Sequence, residues 1–223
     1  MTPSSVHEGL PEGAQPGRLI LASASPRRRE LLRRIGLHVA VVPPADVERP
    51  PREGDSPEEY VTAAALAKAQ QVAEAHPEDL VLGADTVVVV DGRVLGKPAG
   101  ATAQARAADA ARMLRLLSGR EHQVHTGLAL VRGNRSLATD VVTTQVRFRP
   151  LAAWEIAAYV ATGEPLDKAG AYGIQGRAAV FVEQVRGCYF NVVGLPLARL
   201  WELLLGSGCR PWAGDGESIL PEP

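Results

Sequence analysis

Two spacings of apolar residues alternate along the chain, and each change of spacing marks an element. Leu19-Ile20-Leu21-Ala22 is a continuous apolar run, the length of a strand covered on both faces. Ser25 then offers an N-cap and Pro26 a first helical residue, Leu31, Leu32 and Ile35 supply one buried face, and Gly36 a stop. Leu37 to Val42 predicts a second strand, followed by a Pro-rich, charged loop through Asp55. Ser56-Pro57-Glu58-Glu59 has capping-box spacing and opens a helix through Val61, Ala65 and Lys68 to about Ala75. Val81-Leu82 and Val87 to Val90 read as two strands with an acid between them, and Asp91-Gly92 turns the second back into Val94-Leu95. Ala103 to Leu117 is an alanine-rich helix with Ala110, Met113, Leu114 and Leu117 on one face. His122 to Val131 and Leu137 to Phe148 predict an antiparallel hairpin, and Glu155 to Ala161 a helix burying Ile156, Tyr159 and Val160. Val180 to Val182 and Phe190 to Val193 predict a last hairpin, before a final amphipathic helix from Leu195 to Leu205.

Strands and helices interleave throughout, so the fold class expected is mixed α/β. With 223 residues, 46% of them hydrophobic, the chain can bury a sizeable core. The expected layout is a disordered tail over 1–17, a single two-lobed domain over 18–205 and a flexible tail over 206–223. A formal net charge of -1 gives no overall field toward nucleic acid or an anionic membrane, so an anion site must be a local cluster. Cys188 and Cys209 are too few for a disulfide framework or a zinc site. No window is apolar for long enough to span a bilayer, and the N-terminus lacks the basic and apolar regions of a signal peptide. Together these predict a cytoplasmic protein without nucleic-acid or membrane partners.

Local clusters of that kind exist. Asp85 follows the small pair Gly83-Ala84, and Lys97 lies just past the returning strand, so a carboxylate and an ammonium can converge on one phosphate-sized object. At the Ser25 helix start, Ser23 and Ser25 supply hydroxyls, and Arg27, Arg28 and Arg29 occupy the first turn. Positive side chains there oppose the helix dipole and gain nothing structurally, which favours an anion site. Lys68 between two alanines suits either a surface or a cleft, and Glu48 is a candidate for metal or phosphate-edge work. His122 and His125 fall on opposite faces of a strand, poor geometry for one metal, and are read as structural. Gly163 to Gly176, GEPLDKAGAYGIQG, fits neither strand nor helix and reads as a loop with a task.

SASPRR at 23–28, GADTVV at 83–88, GKP at 96–98, LSGREHQVHTG at 117–127 and the 163–176 segment, in that order, resemble the Maf family, septum formation proteins that act as nucleoside triphosphate pyrophosphatases. The resemblance implies an elongated mixed sheet flanked by helices, with a central cleft between two lobes, similar to the inosine triphosphate pyrophosphatases. It implies hydrolysis between the α and β phosphates, releasing a nucleoside monophosphate and pyrophosphate, with a divalent cation, Mg or Mn. The family's catalytic acid falls on Asp85, as general base or metal ligand, and its loop glutamate on Glu48, a second metal position. Substrate-selecting positions fall on Arg27, Thr86 and Gln175. Phosphate-binding positions fall on Ser23, Arg27, Arg28, Lys68, Lys97 and Lys168.

The DKAGAYGIQG loop resembles the branch of the family that hydrolyses dTTP and UTP. The branch acting on 7-methyl-GTP carries a different loop there. A non-enzymatic nucleotide-binding regulator of septum formation is the reading from another class, and the presence of Asp85 favours the enzyme. The substrate expected is therefore a nucleoside triphosphate, with CTP weaker than dTTP and UTP, and the assembly expected admits a homodimer.

Overall fold

The computed structural model describes residues 18–45 and 54–212. Glu48 and the predicted N-terminal tail lie outside the described residues. The elements in chain order are β1 (Leu19–Ala22), α1 (Pro26–Arg34), β2 (Ala40–Val41), α2 (Pro57–Ala75), β3 (Leu80–Val90), β4 (Arg93–Leu95), α3 (Ala103–Leu117), β5 (Glu121–Arg132), β6 (Arg135–Phe148), α4 (Ala153–Ala161), β7 (Val182–Arg186), α5 (Tyr189–Val193) and α6 (Leu197–Gly206). Short 3₁₀ turns at Glu164–Asp167, Ala169–Ala171 and Arg177–Phe181 connect α4 to β7.

One seven-stranded mixed sheet runs β2-β1-β3-β5-β6-β7, with β4 also pairing β3. β2, β1 and β3 are parallel neighbours, and the other pairings are antiparallel. Parallel neighbours need crossover connections, which α1 and α2 supply. Both faces of the sheet are covered. Leu19, Leu21, Leu80, Leu82, Leu128 and Leu130 join one core with residues of α1, α3, α4 and α6. On the opposite face, Ile20, Ala22, Val81, Ala129 and Val131 pack against Ala65, Ala69, Val72 and Ala73 of α2.

Four details differ from the sequence reading. Val81-Leu82 and Val87–Val90 belong to one strand, β3, because Gly83-Ala84 is the place where α2 comes close and the strand continues through it. A Cβ on Gly83 would lie 2.1 Å from the Ala65 carbonyl, and one on Gly127 of β5 would lie 2.3 Å from that of Val61. The second strand shrinks to Ala40–Val41, since Leu37 turns into the core and Pro43-Pro44 has no N–H to continue a ladder. The expected last hairpin is absent: Val180 and Phe181 lie in a 3₁₀ turn, β7 runs Val182–Arg186 and pairs β6, and residues 189–193 form a short helix stopped by Gly194 at φ 118 with Asn191 turned inward. Residues 207–212, expected to belong to a flexible tail, pack against the domain. Cys209 is buried, its N–H donates to Leu204, and the Trp212 indole stacks at 4.3 Å from Trp201 and donates to the Ile35 carbonyl. Truncation after Gly206 should therefore lower the melting temperature by several degrees, as a lost core contact and hydrogen bond require. A differential scanning trace that matches the parent's would show that these contacts contribute nothing.

The two histidines stand on opposite faces of β5. His125 meets Thr143 and Glu58, whereas His122 lies in an edge-to-face cluster with Phe148 and Tyr172, its Nε2 2.9 Å from the Tyr172 hydroxyl. Burial pushes His122 down from 6.5 to about 4. The unfolded chain takes up this proton first, so stability is full above the unfolded value and is lost as pH falls through that window. One such group is worth about 3 kcal/mol. Urea unfolding at about pH 7 and about pH 4.5 should show a loss of that order. His122→Gln should remove most of the difference, and a pH dependence that survives in this variant would belong to other groups.

Candidate active site

The sheet has a gap in one edge, and the cleft opens there. β1 pairs β3 only as far as Ala22 opposite Gly83, and β4 takes up the same edge at Val88 opposite Leu95. Between them, Ala84 to Val87 keep only β5 as a strand partner. Adjacent strand residues point to opposite faces, so Asp85 turns toward α2 and Thr86 toward α1. A cleft of about 710 Å³, within the usual range for small-ligand sites, is built on this gap.

Ser23, Arg27, Arg28, Lys68, Asp85, Thr86, Lys97, Lys168 and Gln175 all line it. The structure thus brings together from five segments every described residue expected to be catalytic, substrate-selecting or phosphate-binding, while Arg29 of the same first turn is exposed and outside the lining. Lys68 reaches the cleft because α2 presses its alanine face onto Gly83, and its Nζ lies 2.5 Å from Asp85 Oδ1. Both side chains are 16% exposed, so solvent and ligand still reach the pair. Ser25 caps α1, and Ser23 Oγ accepts from the Ser25 N–H and from Arg28 Nη1, keeping its own proton for a ligand.

Arg28 is a strut as much as a charge. Its Nε donates to the Gly194 carbonyl, Nη1 to Ser23 Oγ and the Ala84 carbonyl, and Nη2 to Thr86 Oγ1. Its fork ties the open edge of β3 to β1 and to the residue after α5. Burial lowers its proton affinity, with Asp85 opposing that and Arg27 adding to it, yet a guanidinium stays charged. The fork is largely consumed by these contacts, which fits a charge that organises the wall better than a donor set open to phosphate.

Across the cleft, the 163–176 segment is ordered. Gly170 at φ 64 lets the chain pass so close to Val88 that a Cβ would come within 2.7 Å of its side chain, and the Gly170 N–H donates to the Gly96 carbonyl. Glu164 clamps the far side: it accepts from the Tyr159 hydroxyl at 3.0 Å and from the Arg177 N–H, and a Cβ on Gly176 would fall 2.1 Å from its Oε1. Gln175 is held between these points, exposed at the rim of the cleft. Lys168 Nζ donates to Glu164 O and Asp167 Oδ1, and Asp167 also faces Arg27 at 3.6 Å. Burial works to raise the Asp167 carboxyl, but the bond to Lys168 and the charges of Lys168 and Arg27 leave it lowered. Glu164 and Asp167 had no separate signal in the sequence beyond their place in an unusual loop.

Behind Thr86 lies a buried polar chain that sequence reasoning missed. Thr86 Oγ1 is 2.9 Å from Thr126 Oγ1, Thr126 reaches the Asn191 carbonyl at 3.2 Å, and Asn191 Nδ2 donates to Val124 O and Thr144 Oγ1. A polar Asn inside the apolar run 190–195 was the one available clue.

No group of three or more potential metal-ligating side chains occurs among the described residues. A hard divalent ion can be held by one or two carboxylates, with water and substrate phosphates completing its shell. Asp85 offers the hard oxygen donor such an ion prefers.

A family model described as "Maf-like protein" matches residues 18–206. A dTTP/UTP pyrophosphatase of Symbiobacterium thermophilum is 53% identical over 196 residues, covering 88% of this chain and 97% of that protein. One of Salmonella typhimurium is 52% identical over 187 residues, covering 83% and 91%. Among solved structures, a HAM1 protein from Coxiella burnetii is 19% identical with a TM-score of 0.44, covering 85% of this chain and 98% of that one.

Proposed function

The chain belongs to the Maf-like protein family, and from that membership and the cleft we propose that it hydrolyses dTTP and UTP to the nucleoside monophosphate and pyrophosphate. The observation that carries this reading is the convergence of Asp85 with Lys68, Lys97, Lys168, Arg27 and Ser23 around one gap in the sheet. A triphosphate needs several fixed donors to hold it and a carboxylate beside the attacked phosphorus. Relatives named dTTP/UTP pyrophosphatase, about half identical over nearly their whole length, support the choice of those two substrates.

In this reading Ser23, Arg27, Lys97 and Lys168 hold the phosphates, and binding draws Arg27 and Lys168 away from Asp167. Water attacks the α phosphorus, the bond to the bridging oxygen breaks, and pyrophosphate leaves. Asp85 takes the water's proton or, in its other role, would hold a divalent cation. Lys68, already on Asp85 Oδ1, keeps that carboxylate oriented. A bound Mg or Mn ion would be held by Asp85 with the substrate's own oxygens and would neutralise charge at the attacked phosphorus. Glu48 is the second carboxylate proposed for it.

Gln175 at the rim reads the base edge. Its amide presents an acceptor and donors, and a donor suits O4 of uracil or thymine. Gln175→Ala should lower kcat/KM for UTP by roughly ten- to a hundredfold, because the base edge loses its partner. The test is pyrophosphate release with Mg²⁺ or Mn²⁺ from UTP, dTTP, CTP, GTP and 7-methyl-GTP. No release from UTP or dTTP would overturn the assignment, best activity on 7-methyl-GTP would move the chain to the other branch, and a uniform loss in Gln175→Ala would make that residue a loop support.

A further inference from the structure

We infer that Thr126 fixes the hydrogen-bond polarity of Thr86 and so makes the cleft favour a base edge that donates, uracil or thymine, over one that accepts, cytosine. This inference rests on the pyrimidine triphosphate reading above. The argument is one of counting protons. Arg28 carries only donors, and its Nη2 is 3.1 Å from Thr86 Oγ1, so that oxygen accepts there. At the other end, the Asn191 carbonyl can only accept, and it takes the single proton of Thr126. The 2.9 Å contact between the two hydroxyls must then use the proton of Thr86. All three contacts are satisfied in this one arrangement. It leaves Thr86, which lines the cleft, with one lone pair unused and no proton to offer.

The relay is rigid. Thr126 and Asn191 are fully buried, so water does not compete for their groups. The Asn191 carbonyl also receives the Gly194 N–H at 3.0 Å, and its side-chain amide is bonded to Val124 O and Thr144 Oγ1. Thr86 sits on the opposite face of β3 from Asp85, and a Cβ on Gly194 would lie 3.6 Å from its hydroxyl. Val192, Val193 and Gly194 line the cleft there and offer a base an apolar face beside Arg28, whose donors are largely taken by Gly194, Ser23, Ala84 and Thr86. Uracil and thymine carry a proton on N3, whereas cytosine has a lone pair at that ring position, which would meet the lone pair of Thr86. A site built to receive a donor rejects a ligand that lacks it.

Thr126 is accordingly a positioning residue, and the UTP to CTP ratio of kcat/KM reads its action. The parent should prefer UTP by roughly tenfold or more. Thr126→Val keeps the shape but frees the Thr86 proton, and should lower that preference by roughly tenfold, chiefly through a gain on CTP. Thr126→Ser restores the hydroxyl and should restore the preference. Should Thr126→Val fail to fold, Thr86→Val carries the test, because removing the acceptor should cost UTP and spare CTP. A parent inactive on both UTP and dTTP would overturn the functional reading itself. An active parent without the preference, an unchanged ratio in Thr126→Val, or equal losses on both nucleotides in Thr86→Val would overturn this inference alone.

Discussion

Asp85→Asn should lower the turnover of UTP and dTTP by roughly 10²-fold or more while leaving the protein folded. The substitution keeps the size of the side chain and one oxygen, and removes the charge. An amide neither takes a proton from water near neutral pH nor holds a divalent cation as a carboxylate does. The structural cost should be small for two reasons. Asp85 lies in the stretch of β3 that has lost its neighbour on one edge, so no strand pairing depends on its side chain. Its partner Lys68 is 16% exposed, so the ammonium left behind is partly solvated. The measurements are kcat with Mg²⁺ and the melting temperature. Near-parental turnover would remove the carboxylate from the chemistry. A collapse of the melting temperature would mean that the pair with Lys68 holds α2 to the sheet, and would make a loss of activity uninformative.

Asp85 also shows which parts of the molecule were legible in the sequence. Its neighbours Gly83 and Ala84 were recognisable as small residues that allow close approach, but what approaches is α2, 14 to 18 residues earlier in the chain. Local pattern gives helices with caps well, since capping is a contact between near neighbours, and Ser25 and Ser56 both cap as their spacing predicts. It fails where distant partners decide the conformation. Residues 190–193 have the apolar, β-branched content of a strand, yet they form α5 because Asn191 finds acceptors on β5 and β6. The same limit applies to the site. The residues that carry charge into the cleft, all but Lys68 lying in ordered motifs, could be named from sequence. Glu164 and Thr126, inside the 163–176 and 117–127 motifs, and Asn191, in none, hold the cleft wall and loop in place through contacts as far as 67 residues away, which no local pattern shows. Arg28 illustrates both halves: its charge is visible in the sequence, while the use of its fork on four protein acceptors is visible only in the fold.

The dependence of the site on backbone approach gives the second large effect. Gly83→Ala should destabilise the protein by about 3 kcal/mol or more and sharply reduce activity, although a methyl group on a strand is an ordinary substitution. The added Cβ would lie 2.1 Å from the Ala65 carbonyl oxygen, 2.9 Å from the Ala69 Cβ and 3.0 Å from the Ala69 N. None of these is the end of a flexible side chain, so the helix backbone itself must move. Ala65, Ala69, Val72 and Ala73 would leave their contacts with Ile20, Val81 and Ala129 together, because a packed helix shifts as a unit. Lys68 lies between two of those alanines and would be carried off Asp85 with them. Gly206→Ala is the control, since a Cβ there meets nothing within 4 Å. The expected result is a fall of about 10 °C in melting temperature for Gly83→Ala and little change for Gly206→Ala, given a few degrees per kcal/mol in a chain of this size. Turnover measured well below the new melting temperature should still be reduced, which separates displacement of Lys68 from simple unfolding. If Gly83→Ala melts with the parent, α2 is free to adjust, and the close approach is not what places Lys68 beside Asp85.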